Sequence, residues 1–120
     1  MISEWLKCAV GLGGDKLYIT IANKNTLLTL SIDGTVMSTF TDPQLRSPRG
    51  LHVTHSGQVL VCGWRSSTVI QVNAEGNTKI ATLVTQKHGM KYPLSVSCKK
   101  NDTIIVGQWQ NSNMLLFEVK

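Results

Sequence analysis

An internal repeat constrains the fold of this 120-residue chain more than any other feature of its sequence. When the sequence is shifted by 42 residues, Leu17-Tyr18-Ile19 falls on Val59-Leu60-Val61 and the pair Asp33-Gly34 falls on Glu75-Gly76. A shift of 45 residues then places Val59-Leu60-Val61 on Ile104-Ile105-Val106. The repeated stretches are short, alternate in polarity and are rich in β-branched side chains, so they predict β-strands rather than helices.

A repeat of about 40–45 residues with four strands in each unit is typical of a β-propeller blade. The sequence therefore predicts an all-β chain, a partial propeller built from about two and a half to three four-stranded antiparallel blades. We name the strands of a blade a to d in chain order. They are predicted near 7–11, 16–21, 26–31 and 35–40 in the first unit, near 50–54, 58–63, 68–73 and 79–84 in the second, and near 94–98, 103–107 and 114–119 in the third.

Residues 1–120 are interpreted as one partial propeller rather than as several domains. Blade one is expected at about 7–41, blade two at about 46–85 and an incomplete blade three at about 92–120. Because a propeller closes with about four blades or more, we expect this chain either to join the remaining blades of a ring or to associate with itself.

Two stretches of the sequence resemble the halves of an NHL repeat. Pro48-Arg49-Gly50-Leu51, followed by Ser56-Gly57, resembles one half, and Asn25-Thr26-Leu27-Leu28 leading to Asp33-Gly34 resembles the other. The chain as a whole is similar to the final blades of six-bladed, TolB-like propellers, and more narrowly to the NHL-type propellers at the C-termini of tripartite-motif (TRIM-NHL) proteins. This resemblance implies a six-bladed ring and the recruitment of targets for a ubiquitin ligase whose RING domain lies elsewhere.

The chain departs from the NHL pattern after the second strand of each unit. The usual Asp is replaced there by Ile21, Gly63 and Gln108. The resemblance therefore implies the blade architecture but not the ligand contacts of that Asp.

The sequence lacks the common motifs of nucleophilic, metal and phosphate chemistry. It contains no G-x-S-x-G, H-E-x-x-H, phosphate-binding glycine loop or C-x-x-C. Its three histidines, His52, His55 and His88, are interpreted as hydrogen-bonded surface residues. We therefore expect no catalytic residue, no metal and no cofactor, and predict that the chain is not an enzyme. A six-bladed hydrolase with a carboxylate-bound metal is kept as a second alternative.

The cysteines and the hydropathy bear on location. Cys8, Cys62 and Cys98 are odd in number and far apart, which favours free thiols in a reducing compartment. The first residues lack the pattern of a secretory signal, and no apolar run is long enough to span a bilayer. A cytoplasmic location and no membrane partner are therefore expected.

The charges are distributed unequally over the predicted blades. In an antiparallel blade the b–c and d–a loops open on one face, which we call the loop face, and the a–b and c–d turns open on the other, the turn face. The loop face carries six basic residues and one acidic residue, whereas the turn face carries three basic and four acidic residues. The charged residues of the loop face are Lys24, Arg46, Arg49, Arg65, Lys87, Lys91 and Asp42.

Aromatic residues accompany these charges on the loop face. The candidate binding residues are Trp64, Arg65, Trp109, Arg46, Arg49, Lys91 and Tyr92. Aromatic and basic side chains together are typical of protein-interface anchors and of single-stranded RNA sites. We therefore predict a non-enzymatic recognition module that binds a protein partner, with RNA binding as the alternative. A further alternative is that the Trp rings only pack against the adjacent blade and the charges only solubilise the surface.

Overall fold

The computed structural model describes residues 6–100, 103–110 and 113–119, with the main chain alone described for residues 88, 109, 110 and 113–119. These residues form eleven β-strands and three 3-10 turns. The strands are β1 Leu6–Val10, β2 Lys16–Ile21, β3 Thr26–Ser31, β4 Val36–Phe40, β5 Pro48–Val53, β6 Val59–Gly63, β7 Thr68–Val72, β8 Lys79–Val84, β9 Pro93–Cys98, β10 Ile104–Gln110 and β11 Asn113–Val119. The 3-10 turns are Leu12–Gly14, Ala22–Lys24 and Gln86–His88, and within the described ranges no helix is long and apolar enough to cross a membrane.

The strands form three antiparallel sheets in which neighbours along the chain are neighbours in space. Sheet one has the order β1-β2-β3-β4, sheet two the order β5-β6-β7-β8, and sheet three the order β9-β10-β11. The first strands of the three sheets, β1, β5 and β9, lie side by side, and β5 contacts both of the others. This arrangement confirms the predicted all-β propeller fold, and the strand ends differ from the predicted ones by three residues at most.

Sheet two is buried on both of its faces. All five residues of β6 are buried, and they alternate in direction: Val59 and Val61 pack with sheet one, whereas Leu60 and Cys62 pack with sheet three. A strand covered on both sides contains apolar residues at successive positions instead of alternating with polar ones. The run Val59-Leu60-Val61-Cys62 therefore reflects the central position of this sheet.

Two hydrophobic cores hold the three sheets together. The core between sheets one and two consists of Tyr18, Leu27, Phe40, Leu45, Val59, Val61, Ile70 and Val72. The core between sheets two and three consists of Leu60, Cys62, Val69, Val84, Met90, Val96, Ile104 and Val106. Full burial of a large apolar side chain contributes roughly 1.5–3 kcal/mol, so the sheets are stabilised chiefly through these two interfaces.

The c–d turn of sheet two also packs against sheet one. Gly76 has a φ of +75°, and a Cβ atom at this position would collide with the Thr29 side chain. Ser38 donates a hydrogen bond from Oγ to the Gly76 carbonyl at 3.1 Å. A glycine is therefore required here both by the left-handed backbone and by the close approach of the two blades.

Candidate functional site

The loops of the loop face repeat the same backbone conformation from blade to blade. Four non-glycine residues of the described chain have a positive φ: Asn25 and Ser67, both at 52°, and Ser47 and Tyr92, both at 50°. Asn25 and Ser67 are equivalent under the 42-residue shift, and Ser47 and Tyr92 under the 45-residue shift. Because such residues adopt this conformation at a cost, their recurrence shows that the loops share one structural solution.

A hydrogen bond between loops accompanies each of these pairs. The Ser47 N–H donates to Asn25 Oδ1 at 2.8 Å, and the Tyr92 N–H donates to Ser67 Oγ at 3.2 Å. In both blades, the b–c loop thereby fixes the last residue of the d–a loop. Asn25 and Ser67 were not among the predicted site residues, although the repeat shift aligns them.

Main-chain hydrogen bonds position the basic and aromatic residues of the loop face. The Trp64 N–H donates to the Ser47 carbonyl at 3.0 Å, and the Arg65 N–H donates to the Arg46 carbonyl at 3.1 Å. These bonds continue the β5–β6 pairing beyond the strands. Arg46 and Arg65 are consequently held side by side with both side chains exposed.

Three predicted site residues form a contiguous stack. The Arg49 guanidinium carbon lies 4.3 Å from the Trp64 ring centroid, and the Trp64 and Tyr92 ring centroids are 5.0 Å apart at an interplanar angle of 40°. A cation–π contact of this kind contributes about 0.5–2 kcal/mol, with the larger value where solvent is excluded. Arg49 and Trp64 belong to sheet two and Tyr92 precedes sheet three, so the stack crosses the boundary between two blades.

The members of the Arg49–Trp64–Tyr92 stack differ in exposure. Arg49 and Trp64 are half-buried, and burial lowers the pKa of the Arg49 guanidinium from its ordinary value. Tyr92 is 46% exposed. The stack therefore presents a partly desolvated cation and one accessible aromatic ring to a ligand.

The remaining predicted site residues surround this stack to different extents. Lys91 is exposed, and its N–H donates to Gln108 Oε1 at 3.0 Å. Trp109 is part of β10 and is paired there with Met114, and its side chain lies outside the described part of the structure. Its place in the site stays a prediction.

Gln44 is a third loop residue that was not among the predicted site residues. Its carbonyl accepts hydrogen bonds from Ser66 Oγ at 2.8 Å and Thr68 Oγ1 at 2.5 Å, and its side-chain oxygen accepts from Lys79 Nζ at 2.9 Å and from Thr82. An uncharged residue in a loop carries no sequence signal of this role.

Asp42 is the acidic residue of the loop face, and it is compensated. Its Oδ1 lies 3.4 Å from Lys79 Nζ, a residue of β8. The Asp42 carboxylate is therefore paired with Lys79 and not with one of the six basic residues assigned to the loop face. The net positive charge of this face is preserved in the folded chain.

Two clefts lie beside Pro43 on the loop face. One, of about 350 Å³, is lined by Lys24, Asn25, Thr41, Asp42, Pro43 and Arg46. The other, of about 470 Å³, is lined by Pro43, Gln44, Ser66, Thr68, Thr85, Gln86 and Lys87. A third cleft of about 290 Å³ opens between sheets two and three near the turn face, with Gln58 and Gln71 among its lining residues. The loop face thus offers depressions next to its charged rim.

Among the described residues, no group of three or more His, Cys, Asp or Glu side chains is placed to hold a metal ion. The pKa of His52 is lowered from 6.5, first by burial and then by the nearby His55. Cys62 is buried, Cys98 is half-buried and Cys8 is exposed, and none of the three is part of a disulfide bond.

Comparison with known proteins relates the chain to solved propellers. No protein-family model and no curated protein sequence matches it. Among similar solved structures are virginiamycin B lyase from Staphylococcus aureus, with a TM-score of 0.63 and 13% identity, hydrazine synthase from Kuenenia stuttgartiensis, with 0.78 and 15%, and a luciferin-regenerating enzyme, with 0.72 and 15%. The matches cover 92–94% of this chain but only 39%, 33% and 43% of those chains. The chain thus spans less than half the length of the structures that it matches.

These similarities support the propeller fold and leave the NHL and tripartite-motif resemblance a prediction. They contradict the prediction that the chain is not an enzyme, because similar propellers include a lyase and a luciferin-regenerating enzyme. That prediction relied on the absence of contiguous motifs. A propeller brings together loops from separate blades, and function resides in sites carried by the fold rather than in the fold itself.

Proposed function

We propose that this propeller segment is a recognition module that binds an acidic protein segment on its loop face. The Arg49–Trp64–Tyr92 stack is the observation that carries the proposal. Trp, Tyr and Arg are the residues that most often dominate the binding free energy of protein interfaces, particularly where neighbouring groups exclude water. The exposed side chains of Arg46, Arg65 and Lys91 supply the charge complementarity that selects an acidic ligand.

The loop face is suited to a ligand that is held from several directions. The stack lies at the boundary of sheets two and three, and two clefts open beside Pro43. An extended peptide would place apolar side chains on Tyr92 and Trp64 while its carboxylates meet the exposed arginines. This arrangement gives the peptide both an apolar anchor and a charged rim.

The stack favours protein over RNA as the ligand. Single-stranded RNA is bound by stacking bases on accessible aromatic faces. Trp64 already has Arg49 over its ring and Tyr92 beside it. A base would have to displace one of these contacts to stack on Trp64, whereas a peptide side chain can pack at the exposed edge of the stack.

The proposal is tested by selecting Asp- and Glu-rich peptides from a displayed random library against the 120-residue chain and measuring their dissociation constants by fluorescence anisotropy. Trp64→Ala is expected to weaken the selected peptides about 30-fold or more, as removal of a hot-spot residue does. Arg65→Gln is expected to weaken peptide binding less than Trp64→Ala does. The affinity of this variant should also depend less on salt concentration than the affinity of the unaltered chain.

Lys100→Gln provides the matched control, because it removes one positive charge from the turn face and Lys100 is exposed. Its affinity should equal that of the unaltered chain. Affinity that survives Trp64→Ala, or falls equally in the Lys100→Gln variant, contradicts the proposal. Titration with oligo(U) in place of peptide tests the alternative, and RNA affinity that falls with log salt in the absence of peptide binding would replace it.

The role in ubiquitin transfer and the cytoplasmic location are proposed from the resemblance rather than from the site. If the parent protein is of the tripartite-motif type, the loop face would select targets for ubiquitin transfer. A cytoplasmic location would accompany that role. The selection of targets depends on peptide binding by this face, whereas the location does not.

A further inference from the structure

One face of sheet one carries apolar side chains that no part of the described chain covers. The register of β1 to β3 places these side chains on the face directed away from sheet two. We call it the outer face of sheet one, and it consists of Leu6, Cys8, Val10, Leu17, Ile19, Ile21, Leu28 and Leu30. Leu6 is 54% exposed and Val10 is 57% exposed. An apolar patch of this kind indicates an interaction surface.

The internal repeat identifies what covers this face. Under the 42-residue shift, Leu17, Ile19, Leu28 and Leu30 correspond to Val59, Val61, Ile70 and Val72. All four of these equivalents are completely buried, and they pack in the core against sheet one. In sheet three, the equivalents of Val59 and Val61 are Ile104 and Val106, and these pack against sheet two. Each sheet therefore turns this set of positions toward the preceding sheet, and for sheet one the preceding sheet comes from outside the described chain.

Sheet three also has a face that is directed away from sheet two. Its positions are equivalent to those that, in sheets one and two, pack against the following sheet. Tyr18 packs on the following sheet, and its equivalent Leu60 does the same. The next equivalent is Ile105, which is half-buried and lies between Ile104 and Val106, both directed at sheet two. Alternation along β10 directs Ile105 away from sheet two. We call this side the outer face of sheet three.

We infer that the outer face of sheet one binds the outer face of sheet three in a second copy of this chain. The contact joins two different surfaces, and each copy carries one of each: the outer face of sheet one and the outer face of sheet three. Two copies make two identical contacts and close a ring of six blades.

The first test is the mass of the 120-residue chain in solution. Sedimentation equilibrium at about 1–100 μM, a range suited to micromolar association, is expected to give twice the 13.2 kDa of one chain. A mass of one chain throughout this range overturns the inference and assigns the face to another occupant. Assemblies that keep growing with concentration also overturn it, because they show that the contact does not close.

Variants distinguish this contact from other modes of dimerisation. Ile19→Lys and Ile105→Lys each place a charge in one of the two outer faces, and each variant alone is expected to be a monomer. A mixture of the two restores one of the two contacts, between the intact outer face of sheet one in Ile105→Lys and the intact outer face of sheet three in Ile19→Lys, and it is expected to give dimers at the upper end of the concentration range. Dimerisation that persists in Ile105→Lys indicates that the outer face of sheet one pairs with itself, and it overturns the inference, as does a mixture that stays monomeric.

Two controls separate loss of the contact from loss of folding. Ile80→Lys alters a side chain that is 47% exposed on sheet two, and it should remain dimeric. Val10→Lys repeats the test of sheet one at a residue whose exposure leaves folding little affected. Cys8 reports on the same face, and it should react with a maleimide at least about tenfold more slowly in the dimer than in Ile19→Lys, as expected when most chains are associated. Equal rates overturn the inference.

Discussion

The Cys62 thiol shows how the central position of sheet two changes the chemistry of one residue. It is fully buried in the core between sheets two and three, and burial raises its pKa from 9.0 to about 12. The thiolate is the reactive form of cysteine. Cys62 is therefore held in its unreactive form, and its role is to fill the core as a small apolar group.

Stability should decrease with rising pH because of this thiol. Below about pH 9 the thiol is protonated in both states, whereas above it the unfolded chain loses a proton that the folded chain retains. This difference costs about 1 kcal/mol of the unfolding free energy between about pH 9 and pH 10. In urea denaturation, this loss between about pH 9 and pH 10 should be about 1 kcal/mol smaller in Cys62→Ala than in the unaltered chain, and equal pH slopes in both proteins would contradict the burial of Cys62.

The order of strands and loops was enough to predict which face of the propeller each site residue lies on. Assigning Arg49, Trp64 and Tyr92 to one face required only the order of strands and loops. Their mutual contact was not predictable, because it depends on the left-handed conformation of Tyr92 and the hydrogen bond of its N–H to Ser67. The buried loop residues Leu45 and Met90 were also missed, although the 45-residue shift aligns them.

At the scale of elements, the blades contact one another through both strands and turns. The Gly76 turn of sheet two lies against Thr29 of sheet one, whereas the equivalent Gly34 turn has open space around its α-carbon. The two glycines have similar backbone requirements, with φ values of +75° and +91°. They form a natural pair for separating backbone strain from blade packing.

Gly34→Ala should destabilise the chain by about 1–2 kcal/mol through its left-handed backbone alone. Gly76→Ala should cost roughly 1–3 kcal/mol more, because its methyl group collides with Thr29. The measurement is the free energy of unfolding of both variants in urea. Equal losses would show that the turn does not press against the neighbouring blade.

Strand positions were the most predictable level of the structure, because period-two alternation and turn residues fix them locally. The different environments of equivalent strands were not visible in the same way. β2 and β6 occupy the same place in their blades, yet β6 is covered on both faces and β2 on one. That difference depends on the number and order of neighbouring sheets, which alternation along one strand does not encode.

At the scale of the whole molecule, stability should be graded across the three sheets. The described chain measures 41 × 41 × 22 Å, with sheet two between the other two. Opening β6 requires both cores to separate, whereas the outermost strand β4 has mostly exposed side chains. Regions with few buried contacts open at low free-energy cost.

Hydrogen exchange followed by mass spectrometry should reveal this gradient. Amides of β6 are expected to exchange at least about 100-fold more slowly than those of β4, since they open only with global unfolding. Ile19→Lys leaves both cores in place and should preserve the order. Similar exchange in the two strands would show that sheet two is not the most stable part of the molecule.

The position of the Arg49–Trp64–Tyr92 stack links recognition to mechanical cohesion. Two of its members belong to one blade and the third precedes the next. A ligand that touches all three acts as a staple across the joint, and its binding free energy is added to the work needed to pull the two blades apart. The ligand-bound and the ligand-free chain would then differ in the work needed to separate these blades, even if their coordinates were identical.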